Sequence, residues 1–118
     1  MKYRKAENYL RAHRKKSGLS QRDVGNLLGY KNPGQISRRE RTTSIPSLAM
    51  ALAYELIFGA PVGVIFAGLR EAIARDVEGK LEKMGVTLEN RPAADRNAKL
   101  TTQKLAWLSE RQKGRANS

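Results

Sequence analysis

Glycine divides this chain into short segments, and none of them alternates apolar and polar residues as a half-buried β-strand does. Gly18, Gly29 and Gly59 each follow a run rich in helix-forming residues, at the position where a left-handed residue commonly ends a helix. Prolines stand near the start of later runs, where the missing amide hydrogen does no harm. The sequence therefore predicts an all-α fold.

Short helices fill the first half of the chain in this prediction. Ser20 and Asp23 form a variant capping box at the start of the second helix, and Asn32 followed by Pro33 is expected to begin the third. The predicted helices cover residues 6–16, Ser20 to Gly29, Pro33 to about Arg41, Pro46 to about Phe58 and a segment that Pro61 opens, with residues 42–45 as a loop.

A longer amphipathic helix is predicted from Leu69 to Met84, because apolar residues recur there every three or four positions. Gly85 is expected to end it, and residues 85–94 are expected to form a linker. Asp95 can then cap a last helix that contains Trp107.

The stretch from Leu48 to Leu69 is apolar and reaches the length of about 20 residues that a membrane span needs. Glu55 lies within it, and Gly59 and Pro61 interrupt it. Because a central acid is costly in a bilayer, two buried helices explain the stretch better, and no membrane association is predicted.

Positive charge is concentrated at the start of the chain. Residues 1–41 contain 12 Lys or Arg and 3 Asp or Glu, so they carry +9 of the total net charge of +12. Such a field attracts a polyanion, nucleic acid first and an anionic membrane surface second. The alternative is a basic face that is merely solvated.

The residue types disfavour enzymatic chemistry. The chain has no cysteine, and His13 is its only histidine. This excludes disulfides, thiol nucleophiles and Cys/His zinc sites, and no phosphate-binding loop is present. We therefore expect no catalytic residue, no metal and no cofactor. The basic N-terminus is not followed by an apolar signal segment, and with the lack of cysteine this favours the cytoplasm.

Two short helices around a glycine-containing turn, inside the basic segment, have the layout of a helix-turn-helix. Gly25 is small enough for two helices to cross closely, and Val24, Leu28 and Ile36 can fill the space between them. The second helix would then present its polar and basic residues to base edges.

The motifs GLSQ at 18–21, LG at 28–29 and ISRxE at 36–40, followed by Pro46, resemble the phage-repressor and Cro-like (XRE-type) helix-turn-helix family. The resemblance covers about residues 6–66. It implies a lambda-repressor-like five-helix DNA-binding domain, assigned to residues 1–69, and it leaves residues 70–118 as a helical extension for dimerisation or partner binding.

Site residues follow from the resemblance. Gln21 matches a glutamine that contacts a phosphate and supports the recognition helix. Arg38 matches a base-contacting position, where an arginine can read guanine or contact only phosphate. The full set of implied DNA contacts is Gln21, Lys31, Asn32, Gln35, Ser37, Arg38 and Arg41.

Arg14 and Glu40 match a buried ion pair that links the first helix to the recognition helix. Arg39 departs from the family pattern, because this position is usually apolar; its stem is expected to cover the core while its head reaches solvent or phosphate. For a two-fold dimer contact the implied residues are Val62, Ile65, Phe66 and Leu69, with closure of the monomer core as the alternative.

These inferences favour a transcriptional regulator that represses by binding a palindromic double-stranded DNA operator as a homodimer. One alternative is an antitoxin-like protein with the same DNA-binding module, which neutralises a protein partner through its C-terminal helices. A third is a basic protein that binds DNA or RNA without sequence preference, and it predicts similar affinities for unrelated duplexes.

Overall fold

A computed structural model describes residues 7–41, 45–92 and 97–116 of the chain. These residues contain helices and no strands, which confirms the all-α prediction. The helices are α1 (Leu10–Ser17), α2 (Gln21–Leu28), α3 (Gly34–Glu40), α4 (Leu48–Phe58), α5 (Val62–Ile65), α6 (Ala67–Glu89) and α7 (Ala98–Ala116). No helix in this part of the chain combines the length and the apolar character that crossing a bilayer requires.

Local sequence signals account for the helix ends in the first half. Gly29 ends α2 in the left-handed region with φ of 81°, where a side chain would be strained. Asp23 and Ser20 form the predicted capping box, with the Asp23 amide donating to Ser20 Oγ at 3.0 Å and the Ser20 amide to Asp23 Oδ2 at 2.9 Å. Ser47 caps α4, so that helix begins at Leu48, two residues after the proline that was expected to open it.

The chain divides into two compact units, with the boundary between Ala74 and Arg75 inside α6. Among its described residues, the first unit has a core of seven buried side chains from α1 to α5 and the residue that follows α5: Leu10, Val24, Ile36, Ala51, Tyr54, Ile65 and Phe66. The segment before α1 is held to this core, because the Tyr9 amide donates to the Ile65 carbonyl oxygen at 2.7 Å.

In the second unit the C-terminal part of α6 contacts α7. Glu78 and Arg111 form an ion pair, in which Arg111 Nη1 donates to Glu78 Oε2 at 3.0 Å. Leu88 is the one apolar side chain in the described part of this unit that is fully buried. The second unit therefore has a much smaller core than the first.

The predicted end of the long helix at Gly85 is wrong, since α6 continues to Glu89. A Cβ at Gly85 would lie 3.7 Å from Leu108 Cδ1, so Gly85 lies against α7 and packing outweighs the cost of about 1 kcal/mol for an interior glycine. The predicted start of the first helix near Ala6 is wrong, since residues 7–9 are not helical and α1 begins at Leu10, whose amide donates to Asn8 Oδ1 at 3.0 Å. Ala6 itself lies outside the described residues, as do residues 42–44 and the expected cap Asp95.

Candidate nucleic-acid interface

The turn between α2 and α3 is short and internally bonded. After Gly29, the Tyr30 amide donates to the Gly25 carbonyl oxygen at 2.8 Å. Asn32 Oδ1 accepts from the Gly34 amide at 2.8 Å, so this side chain fixes the start of α3. Gly25 is buried, and a Cβ there would lie 3.7 Å from Ile36 Cγ1, so α2 and α3 cross closely at this point.

A polar network joins three elements beneath α3. Arg14 Nε donates to Glu40 Oε2 at 2.6 Å and Arg14 Nη2 to Glu40 Oε1 at 3.1 Å, and the two side chains are only 12% and 5% exposed. The hydrogen bond with Glu40 raises the pKa of Arg14. Arg14 Nη1 also donates to the Leu19 carbonyl oxygen at 3.1 Å, and Gln21 Nε2 to Glu40 Oε1 at 3.3 Å. The network ties α1 and the start of α2 to the end of α3.

The orientation of α3 follows from its two inward residues. Ile36 is buried in the core, and Glu40 enters the polar network one turn later. At 100° per residue, the opposite side of the helix is centred on Arg38, with Gln35 and Ser37 on its two flanks. Arg38 is exposed, and Gln35 and Ser37 are partly accessible.

The other predicted contact residues surround this surface. Lys31 and Asn32 are exposed in the turn, and Arg41 is exposed at the end of α3. Gln21 is partly accessible at the first position of α2, where its amide nitrogen supports Glu40. Asn32 uses its oxygen to cap α3, so its amide group is the part that can reach a ligand.

Sequence reasoning missed how Arg39 is held. Its guanidinium carbon lies 5.9 Å from the centroid of the Tyr30 ring, within cation–π range. Its carbonyl oxygen accepts from Asn8 Nδ2 at 2.8 Å, and its Nε is buried with no hydrogen-bond partner among the described residues. The expectation that its head reaches solvent or phosphate is therefore wrong for Nε. Tyr30, which begins the turn after Gly29, was the one available signal.

The predicted dimer residues divide into two pairs. Ile65 is 0% and Phe66 4% exposed, so both belong to the core, and their assignment to an interface is corrected because a buried side chain cannot contact a second copy. Val62 and Leu69 pack against the same core and remain partly exposed.

Together, the crossed α2 and α3, the glycine turn and the polar network form a helix-turn-helix. Residues 10–65 match the family model described as helix-turn-helix, and this segment belongs to the Cro and phage-repressor (XRE) type of that family. The family is one of DNA-binding transcriptional regulators and is generally non-enzymatic. Searches of curated proteins and of solved structures find no match.

Proposed function

We propose that this regulator is a repressor that binds a palindromic double-stranded DNA operator as a homodimer and blocks a promoter by occupying it. The observation that carries the proposal is the polar network of Arg14, Glu40 and Gln21, which fixes α3 with the Arg38 side outward. In this proposal residues 1–69 bind DNA, and residues 70–118 serve dimerisation or partner binding.

The chemistry of the interface separates positioning from base reading. The N-terminal 41 residues carry +9, which favours approach to a polyanion and the release of its counterions. Lys31 and Arg41 extend the surface at either end of α3 and suit phosphate contacts. Arg38 and Gln35 lie where they can reach base edges in the major groove, and an arginine there reads guanine O6 and N7 with two donors.

Selection of bound duplexes from a random pool tests the proposal. The affinity of the full chain for the selected duplex and for a scrambled duplex should then be measured at two salt concentrations. We expect an inverted repeat that binds about 10³-fold more tightly than the scrambled control. Equal affinities that fall together as salt rises would instead establish a binder without sequence preference.

Replacement of Arg38 tests its role as a base reader. Arg38→Ala is expected to lose discrimination at one base pair of each half-site, equivalent to about 1 to 3 kcal/mol. Arg38→Lys is the matched control, because it keeps the charge but cannot form the bidentate contact. Binding assays on operators changed at each position should show the same loss of discrimination for both variants. Uniform weakening with Ala and recovery with Lys would make Arg38 a phosphate contact.

The antitoxin-like alternative is favoured by one observation, the exposed apolar side chains of the second unit. Val86 is 54%, Leu100 50% and Trp107 51% exposed, and such side chains are common where one protein binds another. Coexpression with the product of a neighbouring gene would test this alternative. If that product inhibits growth, and the full chain but not a chain without residues 70–118 restores growth, the alternative is supported.

A further inference from the structure

Helix α4 is apolar on its outer side as well as on its inner side. Its inner side carries Ala51 and Tyr54, which are buried in the core. On its outer side Leu48, Leu52 and Leu56 are 75%, 45% and 83% exposed, and their four-residue spacing places them along one face as a leucine row. A helix that is hydrophobic all round is normally covered all round, so the leucine row calls for a partner surface.

Charge limits which partner suits the leucine row. Each chain carries +12, so two copies repel one another where their basic surfaces meet. Residues 42–69 form the longest stretch without Lys or Arg, and Glu55 is the one charged residue in it. The Glu55 carboxylate accepts from the Val62 amide at 2.9 Å, so it is directed toward the start of α5. Two copies therefore approach through α4 with the least repulsion.

The leucine row is also symmetric about its centre, which suits pairing with itself. In an antiparallel two-fold pair, Leu52 lies near the axis beside its own copy, and Leu48 meets Leu56 of the second chain. Ala49 and Ala53 follow Leu48 and Leu52 in the sequence, and their small side chains leave space for leucines of the other helix. A standard interface buries about 800 Å² on each partner, and the leucine row would form its apolar centre.

From these observations we infer that two copies of the chain associate through the leucine rows of their α4 helices. The inference rests on the proposed function for its two-fold symmetry. It places the dimer contact on α4 rather than on the partly buried Val62 and Leu69, and of the two roles proposed for residues 70–118 it leaves partner binding. It assigns to the leucines an energetic role in operator binding, since two linked recognition helices engage both half-sites together.

A single introduced cysteine tests the inference directly, because the chain contains none. Leu52→Cys places the thiol beside the expected axis, where a disulfide needs Cα atoms about 4.4 to 6.8 Å apart. The matched control is Val64→Cys, an exposed position on α5 at 51% exposure. Under mild oxidation at equal concentration, Leu52→Cys should form covalent dimer at least about tenfold faster than the control. Equal or slower crosslinking would overturn the inference.

A double variant provides an independent measurement. Leu52→Gln with Leu56→Gln changes only exposed side chains, so circular dichroism should show an intact fold. Sedimentation of the full chain should show a dimer for the wild type and for the control Leu27→Gln, whose leucine is 61% exposed on α2, and a monomer for the double variant. A monomeric wild type, or a dimeric double variant, would overturn the inference.

DNA binding separates this inference from the proposed function. The double variant should keep its affinity for a duplex with one half-site within about twofold, and it should lose about 100-fold or more on the inverted repeat. If neither the wild type nor the double variant prefers any DNA sequence while Leu52→Cys still crosslinks, the proposed operator binding fails and the α4 contact stands. If half-site specificity is present but crosslinking is absent, only the α4 contact fails.

Discussion

The two units of the chain differ in how many of their own side chains are buried. In the described part of the first unit seven apolar residues are buried and the Arg14–Glu40 pair is nearly inaccessible, whereas in the described part of the second unit Leu88 is the one buried residue. The ion pair of the second unit, Glu78 with Arg111, is 27% and 28% exposed. Because burial is the main source of folding free energy, the first unit is expected to be the more stable.

This difference has a functional meaning. A recognition helix must hold its side chains in one register on DNA, and the well-packed first unit provides that rigidity. The second unit is a helix pair with one packing interface, and it exposes Val77, Met84 and Trp107 by 41%, 36% and 51%. The packing of the first unit is sufficient to hold its recognition helix in place. The second unit leaves apolar side chains exposed, and another protein surface can cover them.

The two ion pairs provide the largest expected contrast. Arg14→Ala leaves the Glu40 carboxylate buried without its main partner, and we expect the free energy of unfolding of the first unit to fall by about 3 to 5 kcal/mol. Arg111→Ala removes a more exposed pair and should cost the second unit about 1 kcal/mol or less. Segment-resolved hydrogen exchange measures both. Similar losses for the two variants would contradict the difference in burial.

A change of pH should act on the first unit through Tyr54. The ring is 1% exposed, and burial raises the pKa of Tyr54 from 10.0 to about 12, although the Arg39 charge opposes this shift. The unfolded chain loses this proton from about pH 10, while the folded chain keeps it until about pH 12. The stabilisation is therefore complete below pH 10 and is lost between pH 10 and 12, by about 2 to 3 kcal/mol.

Tyr54→Phe isolates this contribution, because other tyrosines and lysines also titrate in alkali. Urea unfolding at pH 9 and at pH 12 should show a smaller loss of stability for the variant than for the wild type. At pH 9 the variant should be at least as stable as the wild type, since the buried Tyr54 hydroxyl has no hydrogen-bond partner in the described part of the chain. An identical alkaline loss in both proteins would rule out Tyr54 as the cause.

Much of the fold could be predicted because its signals are local. A capping side chain such as Ser20 acts within one turn, and Gly18 and Gly29 end helices through their own backbone conformation. The family motifs placed Arg14 and Glu40, which lie far apart in the sequence and are hydrogen-bonded in the structure. Local signals and the family motif were therefore sufficient to predict most of the first unit.

The remaining features depend on contacts between distant residues, which spacing does not report. Gly85 resembles a helix end in the sequence, but its backbone stays helical because it lies against Leu108. Ile65 and Phe66 are apolar, and apolar residues occur both in cores and in interfaces, so the sequence alone does not show which of the two they occupy. Arg39 could not be placed without knowing that Tyr30 lies within reach. Which of these residues are buried could be learned only from the structure.

Two glycines of α6, one in each unit, give the smallest expected effects and differ in sign. A Cβ at Gly68 would lie 2.6 Å from the Glu7 carbonyl oxygen and 2.9 Å from its amide nitrogen. Gly68→Ala must therefore displace the segment before α1, at a cost of about 1 to 3 kcal/mol. A Cβ at Gly79 meets nothing within 4 Å, so Gly79→Ala should stabilise the second unit by about 0.5 to 1 kcal/mol.

Segment-resolved hydrogen exchange compares these variants with the wild type. Gly68→Ala should lower the protection of amides in α1 and α5, because the bond from the Tyr9 amide to the Ile65 carbonyl oxygen joins the displaced segment to the core. Gly79→Ala should raise the protection of amides in the second half of α6. If Gly79→Ala lowered protection instead, that position would be in contact with a further surface, and the second unit would already be covered in solution.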